Sequence, residues 1–130
     1  MKLLIAFDGS NVAKEAVSVA VKHAQAFGAG IELVWSLFKG TQEEVEDIAE
    51  AEKALAYREK TVRDAGVACG SHLLIRGKDA GTDLVDFARE QSVDLIYIGT
   101  RRRSKVGKLV FGSTTQYVIL NAHCPVVTVK

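Results

Sequence analysis

The sequence predicts a doubly wound α/β fold, one domain spanning residues 1–130. Two observations carry this. Five short apolar runs, Lys2 to Phe7, Ile31 to Leu37, Gly70 to Ile75, Asp94 to Ile98 and Val126 to Val129, are mostly continuous rather than alternating, as in strands buried on both faces. Between them lie four segments whose apolar residues recur at three- and four-residue steps, the helical period. Strand and helix in strict alternation imply a parallel sheet with right-handed crossovers and helices on both faces. With 130 residues, 48% of them hydrophobic, the chain can bury one core, and a single domain is expected.

The first strand, Lys2 to Phe7, stops at the turn Asp8-Gly9-Ser10. Asn11 to Phe27 then reads as a helix, with Ser10 as N-cap and Gly28 as stop. Its apolar face is Val12, Ala16, Val19, Ala20, His23 and Phe27, with His23 a packed core residue. The second strand carries Ser36 near its C-terminal end. The second helix opens on a capping box, Thr41 to Glu44, and places Glu43, Glu44, Glu46, Asp47, Glu50 and Glu52 ahead of its first cation, Lys53, an order the helix dipole favours. Val45, Ile48, Leu55 and Val62 form its inner side, and Ala65-Gly66 ends it. The third strand is diluted by Ser71 and His72, the histidine read as structural, and turns at Arg76-Gly77-Lys78. A third helix, about Ala80 to Gln91, turns Leu84, Val85 and Ala88 inward. The fourth begins at Ser113 with a Ser-x-x-Gln capping box to Gln116, and continues through Tyr117, Val118, Ile119 and Ala122 until Pro125 forbids extension.

The formal net charge of +1 conceals an asymmetry. No acid occurs from Leu95 onward, where Arg101, Arg102, Arg103, Lys105, Lys108 and Lys130 lie, so residues 1–94 hold eleven cations against sixteen acids. Cations gathered on one loop suit a compact anion. The near-neutral total and the scarcity of aromatics for base stacking argue against a nucleic-acid coat. No apolar run is long enough to span a bilayer, and the opening residues turn polar too soon for a signal peptide. Cys69 and Cys124 lack metal-ligand spacing and read as free thiols, so the expected location is the reducing cytoplasm.

The stretch Gly99 to Ser113 follows the fourth strand and runs into the fourth helix. Glycines allow close approach of an anion, free amides at the helix start point at it, and the helix dipole favours negative charge there. In doubly wound sheets ligands sit beyond the C-terminal ends of the strands. Asp8, Ser36, Gly77 and the Gly99 loop all end or follow strands and should share one rim.

Ile5-Ala6-Phe7-Asp8-Gly9-Ser10, Asp94-Leu95-Ile96-Tyr97-Ile98-Gly99, Phe111-Gly112-Ser113 and His123-Cys124-Pro125-Val126-Val127 together resemble the universal stress protein family over essentially the whole chain. The expected strand order is 3-2-1-4-5, with the last strand at an edge. Resemblance to the family's ATP-binding branch implies that Ala6 and Asp8, with Phe7 between them, lie by adenine and ribose. It likewise implies that Ser36 touches the base, and that Gly99, Thr100, Arg101, Arg102, Arg103, Ser104 and Lys105 with Gly112, Ser113, Thr114 and Thr115 hold the phosphates. That branch has Gly, two residues, Gly, nine residues, Gly, then Ser or Thr. Gly99, Gly112 and Ser113 fit it; Arg102 replaces the second glycine. If that position needs a left-handed backbone, the arginine costs about 1 to 2 kcal/mol, which guanidinium contacts to phosphate can offset.

Three readings follow. The first is an ATP-binding regulatory module, with nucleotide occupancy altering the surface offered to a regulatory partner and Mg²⁺ accompanying the phosphates without a carboxylate cluster to demand it. The second is a dimeric interaction module of the same fold without nucleotide, which Arg102 favours. The third, polyanion binding by the arginine loop, is disfavoured by the charge total. As catalytic groups the rim offers only Asp8, Ser36, Ser104 and further hydroxyls, so at most slow ATP hydrolysis is expected. His123 and Cys124 are adjacent at a helix end and read as structural. An uncharged edge strand needs a cover, and both this and the resemblance point to a homodimer through Val126 to Val129. On this reading Val127→Pro shifts the protein toward monomer.

Overall fold

The computed structural model describes residues 1–38, 45–100 and 111–130. In chain order the elements are β1 (Lys2–Ala6), α1 (Asn11–Phe27), β2 (Gly30–Leu37), α2 (Val45–Asp64), β3 (Cys69–Ile75), α3 (Ala80–Glu90), β4 (Leu95–Gly99), α4 (Ser113–Asn121) and β5 (Val126–Val129). The five strands form one parallel sheet in the order β3-β2-β1-β4-β5, as expected. Leu3, Leu4 and Ile5 of the central strand are fully buried because both faces are covered. On one face Leu3, Ile5, Ile31 and Leu33 pack with the apolar sides of α1 and α2. On the other, Leu4, Val34, Ile96 and Ile98 pack with α3 and α4.

Helix α1 has the expected bounds and caps: the Ser10 hydroxyl accepts from the Ala13 amide at 3.2 Å, and Gly28 closes the helix in the left-handed conformation. Its buried face is rotated from the expected one. Ala13, Ala16, Val17, Ala20 and Ala24 meet the sheet, while Phe27 is 53% exposed. A stripe of alanines lets the helix lie close to the sheet, which moves the larger residues to its flanks. His23, on one flank, pairs through Nδ1 with the buried Tyr97 hydroxyl at 2.7 Å.

The Thr41 to Glu44 capping box, with Glu43 and Glu44, lies outside the described residues. Helix α2 buries Ala51, Leu55 and Val62, but Val45 is exposed. At 100° per residue Val45 points about 120° away from Ala51, off the stripe that meets the sheet. Helix α4 also departs from the reading. Gly112, not Ser113, is its N-cap, with no side-chain hydrogen bond, so the Ser113 capping box does not form. Thr115 and Val118 are buried and Ala122 is half-buried, whereas Tyr117, Ile119 and Leu120 remain exposed. A nine-residue helix touches its neighbours along one line, and 115, 118 and 122 follow that line in steps of three and four.

Strand limits differ by one residue in places. Asp94 stays outside β4 and instead accepts from the Lys2 amide at 2.8 Å. Two bonds fix the register of β5: Ile96 N donates to Pro125 O at 3.1 Å and Thr100 N to Val129 O at 2.6 Å. In a parallel ladder this alternation turns Val127 toward β4 and Thr128 toward the free edge. Proline at Val127 would therefore damage the sheet itself, and a proline probe of the outer edge belongs at Thr128. Leu33→Ala, at a fully buried position, is expected to cost about 3 kcal/mol. Urea unfolding checks this as a lowered midpoint with an unchanged slope.

Candidate functional site

A cleft of about 300 Å³ opens at the C-terminal ends of the central strands. It has two apolar walls. Ala6, Val34, Leu84 and Ile98 belong to the layer under α3 and α4, while Phe7, Ala13 and Trp35 belong to the layer under α1 and α2. The Phe7 and Trp35 rings meet edge to face at 5.8 Å and stiffen the second wall. Polar groups gather at the rim: Asp8 and Ser10 after β1, Ser36 at the end of β2, and Ser113, Thr114 and Thr115 at the start of α4.

Three helix starts reach this cleft, those of α1, of α3 through Ala80, and of α4, and the first and last of them differ. At α1, the Ser10 side chain takes the Ala13 amide and Asp8 Oδ1 takes the Ser10 amide at 3.0 Å. At α4 the first helical bond runs from Gln116 N to Gly112 O at 3.0 Å, and no side chain caps the turn. The amides of Ser113, Thr114 and Thr115 precede the helical ladder and lie where an anion would be drawn by the dipole. Thr115 Oγ1 donates to Gly99 O at 3.2 Å, tying this turn to the end of β4. Gly99 has a second role. A Cβ there would stand 2.7 Å from Val12 Cγ1, so the glycine admits α1 to the strand end.

Of the residues named from the sequence, Ala6, Phe7, Asp8, Ser36, Gly99, Gly112, Ser113, Thr114 and Thr115 line the cleft together. Gly77 stands apart in the turn after β3, with φ at 69°. Thr100 is buried and bound to Val129 O through its amide and hydroxyl, so it joins β4 to β5 rather than facing the cleft. Arg101, Arg102, Arg103, Ser104 and Lys105 lie outside the described residues. Among the described residues, no cluster of His, Cys, Asp and Glu could hold a metal ion, and no helix is long and apolar enough to cross a membrane.

The universal stress protein family model matches residues 1–130. The chain belongs to that family. Among its universal stress protein relatives, one from Thermus aquaticus is 36% identical over 98% of this chain and 97% of its own length. The solved universal stress protein from Archaeoglobus fulgidus superposes with a TM-score of 0.90 at 39% identity, covering 100% of this chain and 98% of its own. A structure of the universal stress protein from the same organism in complex with dAMP superposes at 0.85, with 35% identity over 100% of this chain and 98% of its own.

Val12, Val34, Trp35, Ala80, Leu84 and Ile98 of this universal stress protein also line the cleft without having been singled out. Their place at strand C-terminal ends and helix starts was a usable signal. Asp83 was missed too. It is fully buried beneath the cleft and bonds to Ser36 and Arg76. Its four-residue spacing from Phe87 places it on the inner face of α3, a position that calls for a partner.

The two thiols are free and unsuited to nucleophilic work. Burial, with Glu59 and Glu32 nearby, pushes Cys69 up to about 12, and burial with Asp94 also raises Cys124. At pH 8 the folded protein is expected to resist iodoacetamide at Cys69 over hours, whereas in urea both cysteines alkylate; mass spectrometry with time reads the difference. Gly99→Ala, which drives a Cβ into Val12, is expected to destabilise the protein by about 1 to 3 kcal/mol in the same denaturation assay.

Proposed function

We propose that the protein is an adenine-nucleotide-binding regulatory protein of the universal stress type. The observation that carries this reading is the uncapped N-terminus of α4 opening onto an apolar cleft between the ends of β1, β2 and β4. The apolar walls suit a base, Asp8 at the rim suits ribose hydroxyls, and the Ser113 to Thr115 amides suit phosphate. The dAMP complex of the Archaeoglobus fulgidus protein, 35% identical, supports an adenine nucleotide as the ligand. ATP with Mg²⁺ is the form we assign. Arg101, Arg102, Arg103 and Lys105 add phosphate contacts, and the metal, if carried, comes with the triphosphate. Nucleotide occupancy changes the surface met by a regulatory protein in the cytoplasm.

A homodimer through the outer edge of β5 belongs to the same reading. Val126 to Val129 form an edge strand without a charged side chain, and a second copy of that strand satisfies its outward backbone groups. The second reading, a dimer of the same fold that holds no nucleotide, is favoured by Arg102 at the glycine position of the phosphate motif.

Calorimetric titration of nucleotide-stripped protein with ATP and Mg²⁺ is expected to give a micromolar dissociation constant, about −8 kcal/mol. The doubly substituted Gly112→Val, Ser113→Ala protein is expected to fold and to lose that binding. No binding to the unsubstituted protein at millimolar ATP overturns the reading in favour of the nucleotide-free dimer. Thr128→Pro is expected to halve the mass seen by light scattering while circular dichroism stays unchanged; a retained dimer counts against the β5 interface.

A further inference from the structure

Asp83 stands at a place the core would otherwise fill with hydrocarbon. It is 0% exposed, on the face of α3 that buries Leu84, Phe87 and Ala88. A carboxylate in such a place is costly unless each oxygen is matched. Both are. Arg76 Nε donates to Oδ1 at 2.5 Å and Ser36 Oγ donates to Oδ2 at 2.6 Å. Arg76 is itself held, through Nη1 to both Glu90 oxygens at 3.2 and 2.8 Å and through Nη2 to the Asp83 carbonyl at 3.2 Å.

This network fixes a proton. Arginine keeps its charge, and an ionised carboxylate only accepts, so the hydrogen between Ser36 and Asp83 belongs to Ser36. An ordinary serine hydroxyl turns to donate or accept as its ligand requires. Ser36 lines the cleft with its proton committed beneath it, so it meets a ligand with lone pairs alone. Donation to an anion also makes its oxygen a better acceptor.

We propose that Ser36, fixed by Asp83, selects purine nucleotides that carry an amino group at the 6-position over those that carry a keto group there. The inference rests on the nucleotide-binding reading above and assigns the source of its specificity. The fold supplies the direction. The α4 N-terminus follows β4, Ser36 ends β2, and β1 lies between, so the two sites stand about 10 Å apart, two strand spacings. A nucleotide with its phosphate at α4 extends its base across β1 and presents at β2 the edge farthest from the sugar. A 6-amino group there gives a hydrogen to Ser36 Oγ. A 6-keto group sets two oxygens face to face with no hydrogen between them. Asp83 touches no ligand in this arrangement and acts as a positioning residue.

Parallel titrations of the full chain with AMP and with IMP, which share ribose and phosphate, test this. The unsubstituted protein is expected to bind AMP about 10- to 100-fold more tightly. Ser36→Ala is expected to weaken AMP binding and to bring the ratio toward one. Asp83→Asn lets an amide donate to Ser36 and frees its proton toward the cleft, so IMP binding is expected to strengthen and the ratio to fall. A merely structural role for Asp83 would weaken both nucleotides alike, and thermal melting by circular dichroism verifies that each variant is folded. The wild-type ratio depends on no variant. AMP binding with a ratio near one overturns this proposal and leaves nucleotide binding standing; if neither monophosphate binds, the same ratio is read with ATP and ITP, and failure to bind these overturns both. A folded Asp83→Asn protein that keeps the wild-type ratio overturns the part given to Asp83.

Discussion

The pairing of β1 with β2 on one side and β4 on the other is the constraint from which the rest of the molecule follows. The chain leaves β1 through α1 toward β2 on one face, and reaches β4 from α3 on the opposite face. Where the connections diverge, the described residues leave a crevice at the C-terminal end of β1. The three buried residues Leu3, Leu4 and Ile5 hold the strand in place, so the crevice inherits the rigidity of the best-packed part of the core.

Within that crevice the starts of α1 and α4 are treated differently by their own sequences. Ser10 closes α1 with its own hydroxyl, and Asp8 closes the turn before it. Gly112 brings no side chain to α4, and the threonine that follows at 115 spends its hydroxyl on Gly99 rather than on the helix. The start of α1 is thereby satisfied internally, and that of α4 has no side-chain acceptor from its own cap. The polar character of the cleft is directional: its amide end lies by β4 and its lone-pair end lies by β2.

The strands and the ends of α1 were legible because they depend on local signals: apolar runs that cannot be surface strands, a serine and a glycine at the two ends of a periodic segment; the strand order came with the family resemblance. The faces of α1 and α4 were not. Which side of α1 meets the sheet is decided by Ala13, Ala16, Ala20 and Ala24, whose small size permits close approach, and hydrophobicity alone ranks Val19 and Phe27 above them. The site was legible where it coincides with glycines, hydroxyls and an acid at strand ends. Its apolar walls look like any core residues in the sequence. Asp83 and Arg76 lie seven positions apart, in α3 and in the turn after β3, while Ser36 lies on β2; the β2–β3 pairing and the packing of α3 against β2 bring the three together.

The chain contains a single tryptophan, Trp35, and the fold puts it in the cleft wall against Phe7. All of the indole emission of this protein therefore originates at the candidate site, where an arriving ring would replace water. The molecule carries an optical reporter in the wall of its candidate cleft, where occupancy by a ligand would be open to observation without a label.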